Sequence, residues 1–261
     1  MKKYFVTSDV HSAYDELMEA LNAKGFDINN DNHYLIICGD LFDRKNGTRE
    51  CYQFALQLAD KKRLIYIKGN HELLLHDCVK SVKYGYDIGY HHISNGTTKT
   101  IAQLTGESEW VVFDPDMADR VCEAMNPVLK FIDDNSVFYF ELGDYLFVHS
   151  WVPVRHANNL QEASIYEWEQ ATWGNPYELA QTKSWCPEGK TVVFGHFHTS
   201  WARKHLHNED EWGEDANFDV YYGDNYIALD SCVAYTDRLN CIVFEEDDQG
   251  VVKLLDKNPN L

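Results

Sequence analysis

Seven short apolar runs punctuate the chain, and their β-branched and aromatic composition is typical of strands. They lie at residues 4–7, 34–38, 64–67, 145–148, 191–194, 226–229 and 241–244. Helical patterns of apolar residues follow the first two runs. They comprise Leu17, Met18 and Leu21 in residues 15–24, and Phe54, Leu56 and Leu58 in residues 49–61. The chain therefore begins β-α-β-α-β, which predicts a mostly parallel first sheet with right-handed crossovers. In the second half, the short connections between strands predict antiparallel pairing.

Two longer segments interrupt this alternation. Residues 73–135 are predicted to be largely helical or irregular, and an insertion at about 76–135 is expected to cap the edge of the sheet. Within it, His91 and His92 are expected to be exposed loop residues, although either could instead touch substrate. Residues 203–219 are acidic and are predicted to form a surface loop. At 261 residues, the chain suits a single α/β domain that carries these two additions.

Composition and charge narrow the classes of partner. The formal net charge of −19 disfavours binding to nucleic-acid polymers and to anionic membranes, because both carry negative charge. The apolar runs of the sequence are all shorter than the roughly 18 residues that span a bilayer. The seven cysteines are odd in number and form no CxxC pair, which favours reduced thiols and a cytoplasmic location.

Five polar clusters each come directly after an apolar run. They are Asp9 with His11, Asp40 with Asp43 and Arg44, Asn70 with His71, His149 alone, and His196 with His198. In an open α/β sheet, ligands bind beyond the carboxyl ends of the strands. We therefore expect the five clusters to converge on one rim of the fold.

The residue types in these clusters are those of a hydrolytic site with two metals. Carboxylates and imidazoles together suit divalent transition metals, and the two oxygens of Asp40 could bridge a pair of ions. Two such ions can clamp an attacking hydroxide and the phosphoryl oxygens of an in-line displacement. We assign His71 as the general acid, Asp43 as the residue that orients its ring, and Arg44 as a bidentate grip on phosphoryl oxygens. The alternative for His71 is a structural place at the start of a helix.

The motifs DxH, GDxxDR and GNHE, a single His after a strand, and GHxH together resemble the calcineurin-like metallophosphoesterase superfamily. The GDxxDR and GNHE forms narrow the resemblance to its phosphoprotein phosphatase family, of the bacterial or phage type. That family includes Ser/Thr protein phosphatases and bacterial diadenosine tetraphosphate hydrolases. The likeness extends over roughly residues 4–245.

The resemblance implies a four-layer α/β/β/α sandwich with the site at the strand ends. It further implies that one metal is held by Asp9, His11, Asp40 and His198, and the other by Asp40, Asn70, His149 and His196. The implied metals are manganese or iron, with zinc as a third candidate. The implied nucleophile is a metal-bound hydroxide.

The sequence departs from the family pattern where phosphate groups would be contacted. Lys45 and Thr97 stand where glycines are usual, and residues 172–175 lack the arginine that bacterial members often carry there. Arg155 and Arg203 are candidates to replace it. These changes leave every proposed metal ligand in place. We therefore expect them to affect which substrate the protein selects.

Three functions fit these observations. The first is a phosphomonoesterase similar to a protein Ser/Thr phosphatase, and the second is a nucleotide pyrophosphohydrolase of the diadenosine tetraphosphatase type. The third is an inactive binding scaffold, which the retention of every expected ligand disfavours. The partner would be a phosphorylated protein, or a small phosphoester or nucleotide. Asn95 would contact this substrate or, alternatively, form a turn with Gly96.

Overall fold

A computed structural model describes residues 1–256, in which eleven strands form two sheets. The strands are β1 (Lys2–Thr7), β2 (His33–Cys38), β3 (Leu64–Ile67), β4 (Ser136–Val137), β5 (Tyr139–Leu142), β6 (Tyr145–Val148), β7 (Thr191–Phe194), β8 (Tyr221–Tyr222), β9 (Tyr226–Ala228), β10 (Ile242–Glu246) and β11 (Val252–Leu254). The first sheet has the order β11-β10-β1-β2-β3-β4, and the second has the order β5-β6-β7-β9-β8. Each of the seven apolar runs forms a strand within these sheets.

Strand direction matches the prediction in the first half of the chain and differs from it in the second. Strands β1 to β4 are parallel to one another, and β10 runs antiparallel to β1 and β11. Strands β6, β7 and β9 are also parallel, so the expected antiparallel pairing is wrong for them. Helices occupy the connections between these strands, and a helical crossover brings the chain back into the sheet in the same direction. The neighbours β5–β6 and β8–β9 are antiparallel.

Ten α-helices surround the sheets in the described part of the chain. They are α1 (Tyr14–Ala23), α2 (Thr48–Asp60), α3 (Asn70–Tyr84), α4 (Tyr90–Asn95), α5 (Thr97–Thr105), α6 (Ala118–Asn135), α7 (Ile165–Ala171), α8 (Pro176–Ala180), α9 (Thr199–His207) and α10 (Val233–Thr236). The helices predicted at 15–24 and 49–61 correspond to α1 and α2, and each begins and ends one residue earlier. Within residues 1–256, no helix is both long and apolar enough to cross a membrane.

Alternation along the central strands divides the core into layers. Val6 and Ile36 lie in the apolar cluster between the two sheets, whereas Phe5 and Leu35 lie in the cluster between the first sheet and its helices. A third cluster, with Phe194, packs α7, α8 and α9 on the outer face of the second sheet. Each fully buried side chain of this size contributes about 1.5–3 kcal/mol. The fold is the four-layer α/β/β/α sandwich that was expected.

The segment between β3 and β4 joins the helical layer on the first sheet. Leu75 of α3, Ile101 of α5 and Phe131 of α6 belong to the same core cluster as α2. His92 is buried in α4, so the expectation of an exposed loop residue is wrong for it. Its ring turns towards α3, where Nε2 lies 3.2 Å from an oxygen of Asp77.

The acidic loop begins later than predicted. Helix α9 continues through Arg203 to His207, because Ala202 packs into the core of the second sheet and holds the helix there. Asn208 adopts the left-handed conformation that ends the helix. Residues 208–220 form the irregular part of the segment.

Candidate metal centre and catalytic site

The predicted polar clusters follow strand ends of both sheets. Asp9 follows β1, Asp40 follows β2, and Asn70 begins α3 just after β3. His149 follows β6 and His196 follows β7 in the second sheet. Most of the predicted ligand and catalytic side chains are buried, namely those of Asp9, His11, Asp40, Asp43, Asn70, His71 and His149. The site therefore lies where the carboxyl ends of the two sheets meet, as the strand-end pattern predicts.

The loops of the site hold their residues in an uncommon backbone conformation. Seven residues other than glycine have positive φ angles here: Asp9, His11, Ser12, Asp40, Asp43, Arg44 and His196. Such conformations cost about 1–3 kcal/mol each and cluster at functional sites. Backbone hydrogen bonds from His11 to Asp40 and from Asp9 to Gly39 hold the first two loops together. The chain thus stores strain where it positions the clusters.

Three glycines let the backbone approach the polar side chains closely. A Cβ at Gly39 would collide with the ring of His149, and a Cβ at Gly69 would collide with the carboxylate of Asp40. A Cβ at Gly195 would overlap the carboxylate of Asp9. The glycines of the GD, GN and GH motifs are therefore required by the space that the polar side chains occupy.

Asp40 lies at the centre of the cluster and belongs to two sets of possible metal ligands. One set is His11, Asp40 and His71, and the other is Asp40, His149 and His196; within each set the donor atoms lie within 4.8 Å of one another. Oδ2 of Asp40 is 3.8 Å from Nε2 of His11, and Oδ1 is 3.4 Å from Nε2 of His149. A carboxylate with one oxygen towards each set is placed to bridge two cations.

Asn70 and Asp9 complete the cluster on either side of Asp40. Oδ1 of Asn70 lies 2.8 Å from Nε2 of His149, which in turn lies 3.2 Å from Nδ1 of His196. Asp9 accepts a hydrogen bond of 2.9 Å from the backbone N–H of His196 and another from the hydroxyl of Ser8. These contacts connect ligands from the first sheet to ligands from the second.

The electrostatics of the cluster would favour a bound cation. Burial raises the pKa of Asp9 and of Asp40 well above the ordinary value, and the neighbouring carboxylates of Asp230 and Asp9, respectively, raise them further. Burial also lowers the pKa of His11 and His149 well below the usual range. The imidazoles are therefore neutral and offer lone pairs, and a divalent cation would offset the repulsion between the carboxylates. The donor set fits the two metals that the resemblance implies.

His198 does not join this cluster in the described structure. Its Nδ1 lies 2.8 Å from Oγ of Ser200 and accepts from the backbone N–H of Trp201, so the ring caps the start of α9. Its Nε2 faces Glu211, 3.7 Å away. His71 instead lies beside Asp40, with Nε2 at 3.8 Å from Oδ2. The assignment of His198 as a metal ligand stays a prediction.

His71 and Asp43 form a buried pair next to the predicted metal ligands. Nδ1 of His71 lies 2.7 Å from Oδ2 of Asp43. The hydroxyls of Thr97 and Thr100 donate to the two oxygens of Asp43 at 3.0 and 2.6 Å. Thr97, which stands where the family usually has a glycine, therefore supplies a hydrogen bond that a glycine could not make. The carboxylate is fixed by two hydroxyl donors, and it fixes the ring of His71 in turn.

The two residues predicted to contact substrate, Arg44 and Asn95, lie at the rim of the site and differ in their surroundings. Arg44 is exposed, and its positive charge lowers the pKa of Asp9 and Asp40 against the larger effect of burial. The amide of Asn95 donates to the backbone carbonyl of His91, and Gly96 packs against the backbone of Arg44. Asn95 thus sits next to the arginine loop while its side chain closes a helical turn.

The two candidate replacement arginines have different surroundings. Arg203 donates to the carbonyls of Asp219 and Val220 and lies over the ring of Tyr221, which commits its guanidinium to the structure of the second sheet's outer face. Arg155 is exposed in the 3₁₀ turn Val154–His156. Lys45 pairs with Glu16 and Asp237, outside the ligand cluster.

The segment that lacks the expected arginine lies beside the ligands. The hydroxyl of Ser150 donates to the carbonyl of Gly174 at 2.6 Å. Burial lowers the pKa of His196 to about 4, and a hydrogen bond with the backbone of Trp173 opposes this shift. The indole of Trp173 is 47% exposed. An aromatic surface therefore stands at the rim where an arginine was expected.

Two further residues support the site and were not assigned from the sequence. Glu72 accepts hydrogen bonds from the backbone N–H groups of Asp40, Leu41 and Gly69, so it holds the loop after β2 against the start of α3. Asp230 is a buried carboxyl beside Asp9. It follows β9, so the rule that located the five clusters would also have located it.

The chain is similar in sequence to curated proteins over part of its length. The chain is 32% identical over 114 residues to the asymmetrical bis(5'-nucleosyl)-tetraphosphatase of Halalkalibacterium halodurans, which covers 41% of this chain and 43% of that relative. It is 34% identical over 83 residues to the symmetrical bis(5'-nucleosyl)-tetraphosphatase of Buchnera aphidicola, covering 32% and 28%. Each match spans less than half the length of the curated relative.

Solved structures share the fold over nearly the whole chain. A structure provisionally assigned as a diadenosine tetraphosphatase has a TM-score of 0.53 at 16% identity, covering 97% of this chain and 93% of that one. The cold-active protein-tyrosine phosphatase of a psychrophilic Shewanella species has a TM-score of 0.50 at 15% identity, covering 98% and 81%. Residues 2–213 match the calcineurin-like phosphoesterase family. This match covers most of the chain, and we conclude that the chain belongs to the calcineurin-like phosphoesterase family.

Proposed function

We propose that the protein is a phosphoester hydrolase that depends on two metal ions. The shared position of Asp40, between the set with His11 and the set with His149 and His196, carries this proposal. The metals, when bound, would polarise a phosphoryl group and lower the pKa of water. Family membership supports dependence on metals. Manganese or iron is the proposed native metal, with zinc as the third candidate, because the ligands combine carboxylate and imidazole.

Side chains of the protein would protonate the leaving oxygen and hold the phosphoryl group. His71 would donate the proton from Nε2, because Nδ1 is held by Asp43 at 2.7 Å. Nε2 lies on the side of the ring that faces Asp40, where the phosphoryl group would sit. Arg44 would grip the remaining phosphoryl oxygens from the exposed rim. These roles follow the assignments made from the sequence.

Two classes of substrate fit this site. A phosphomonoester, such as phosphoserine or phosphothreonine in a protein, suits a rim where the exposed Arg44 could grip one phosphoryl group. A dinucleoside polyphosphate is supported by the tetraphosphatase relatives and by Trp173, whose exposed indole could stack on a base. The seven free cysteines support a reducing compartment such as the cytoplasm for either substrate.

A substrate panel tests both levels of the proposal. Purified protein would be assayed with manganese against p-nitrophenyl phosphate, a phosphothreonine peptide, diadenosine tetraphosphate and mononucleotides. Turnover that disappears on chelation and returns with manganese supports the hydrolase. A larger kcat/KM for the dinucleotide than for the peptide selects the second class of substrate. Failure to hydrolyse any of these compounds with manganese, iron or zinc would instead favour the inactive scaffold.

A further inference from the structure

We propose that Asp77, His91 and His92 form a third metal site, separate from the dinuclear centre, which binds zinc or another late first-row transition metal. The donor atoms of these residues lie within 4.8 Å of one another. Asp77 comes from α3, whereas His91 and His92 come from α4. None of the three belongs to the ligand set around Asp40, so this inference does not rest on the proposed hydrolase function.

The Asp77–His92 pair has the spacing of two ligands in one coordination shell. Oδ2 of Asp77 lies 3.2 Å from Nε2 of His92. Two ligands that are each about 2.0–2.1 Å from a tetrahedral zinc lie about 3.3 Å apart. The rings of His91 and His92 pack with their centroids 4.0 Å apart. Two imidazoles and one carboxylate form a typical set of three protein ligands for zinc, with the fourth position open to water.

The protein leaves His92 only partly satisfied. The side chain is 1% exposed, and its Nδ1 is buried without a hydrogen-bond partner among residues 1–256. The lone pairs of the two ring nitrogens diverge, so Nε2, which faces Asp77, is the proposed ligand atom, and the unpartnered Nδ1 would donate to an ordered water.

Local structure holds His91 in reach of the same point. Its ring lies so close to the backbone of Gly89 that a Cβ there would meet Nδ1 and Cε1 at 2.5 Å. The side chains of Ser94 and Asn95 donate to its backbone carbonyl at 3.3 and 2.8 Å. No hydrogen bond within the described residues occupies its ring nitrogens. A free imidazole is thus placed beside the buried one.

Zinc counting tests this site without an enzyme assay. The wild-type chain and the variants His91→Ala and Asp77→Asn would be equilibrated in zinc-buffered solution, and zinc per chain would be measured by mass spectrometry. Both substituted residues are exposed, so the variants should fold, and their melting temperatures would verify this. His205→Ala is the matched control, because it removes another exposed histidine, from α9.

We expect each of the two variants to bind one zinc ion fewer than the wild type, and the control to bind as many as the wild type. The difference of one ion is independent of how many ions the dinuclear centre takes. Equal zinc content in all four proteins would overturn the third site while leaving the proposed hydrolase untouched.

Discussion

Nδ1 of His71 lies 2.7 Å from the carboxylate of Asp43, and both side chains are buried beside the predicted metal ligands. The pair fixes the orientation of the ring, so that Nε2 faces Asp40 at 3.8 Å. A ring held in this way can deliver a proton in one direction, towards the point where a phosphoester would be cleaved.

The first prediction concerns this proton. His71→Asn should lower kcat by about 10²–10⁴-fold for an alkyl phosphate, because the leaving alkoxide then lacks a proton donor. The loss should be smaller for p-nitrophenyl phosphate, whose leaving group is stable without a proton. Steady-state kinetics on both substrates and metal content measure this. An equal loss on both substrates, or loss of bound metal, would show that His71 acts mainly as a ligand.

A second prediction concerns the hydroxyl that holds Asp43. Thr100→Val removes the donor to Oδ1 of Asp43 and the acceptor for its backbone N–H. Loss of a buried hydrogen bond to a charged group costs about 1.5–3 kcal/mol. We expect a lower melting temperature and a fall in kcat of about tenfold, since His71 is held less firmly. Thr100→Ser keeps the hydroxyl and should restore most of both. No recovery in the serine variant would assign the effect to packing.

A third prediction concerns the carboxylate of Glu72, which accepts from three backbone N–H groups and from the hydroxyl of Tyr66. Glu72→Gln places an amide against two of these donors. We expect a loss of about 3 kcal/mol or more in the free energy of unfolding and a 10- to 100-fold weaker affinity for manganese. Glu167→Gln, at the exposed start of α7, is the matched control and should cost about 1 kcal/mol or less. Similar losses in both variants would contradict the role of Glu72.

Much of the site could be predicted from the sequence because each predicted site residue lies close in sequence to the strand that positions it. Each apolar run ends at a polar cluster, and the carboxyl ends of parallel strands meet at one rim. This rule is sufficient to place Asp9, Asp40 and Asn70 together, whereas His149 follows a strand of the second sheet. It extends equally to Asp230, which received no role from the sequence although it follows an apolar run in the same way.

The features that could not be predicted depend on contacts between distant segments. The parallel direction of β7 and β9 depends on where the connecting helices pack. The ring of His198 turns towards Glu211 because Ser200 and Trp201 hold it at the start of α9. The burial of His92 requires α4 to lie against α3. Residue type and spacing alone do not specify such arrangements.

A fourth prediction uses the pKa of Asp230, which burial raises to about 6. In an unfolded chain, an aspartate has a pKa of about 3.9. The folded state therefore binds a proton more tightly, and the ionised carboxylate destabilises the metal-free protein by up to about 3 kcal/mol above pH 6. Asp230→Asn should raise the melting temperature of chelated protein at about pH 8. This gain should shrink as the pH falls through 6 towards 4.

Thermal unfolding of both proteins across this pH range measures the effect. Asp133→Asn, at an exposed carboxyl, is the control and should show no comparable pH-dependent gain. A gain for Asp230→Asn that is the same at both ends of the range would mean that the carboxyl is not a source of electrostatic strain.

A fifth prediction separates the two classes of substrate at Trp173. If a base stacks on this indole, Trp173→Ala should raise KM for diadenosine tetraphosphate by about 5- to 100-fold, since stacking on an aromatic side chain contributes about 1–3 kcal/mol. The kinetics with p-nitrophenyl phosphate should be unchanged. Trp110→Ala, at an exposed indole in the 3₁₀ turn Glu109–Phe113, is the control. Unchanged KM for the dinucleotide would leave Trp173 without a role in binding it.

The predicted ligands around Asp40 come from two sheets that otherwise meet through an apolar interface. Asp40 and Asn70 belong to one half, and His149 and His196 belong to the other. Cations bound between them would link the two halves across this interface. Metal binding and the packing of the two sheets against each other would then be thermodynamically coupled. Mutations far from the site that loosen the packing of the sheets would then weaken the affinity of the protein for metal.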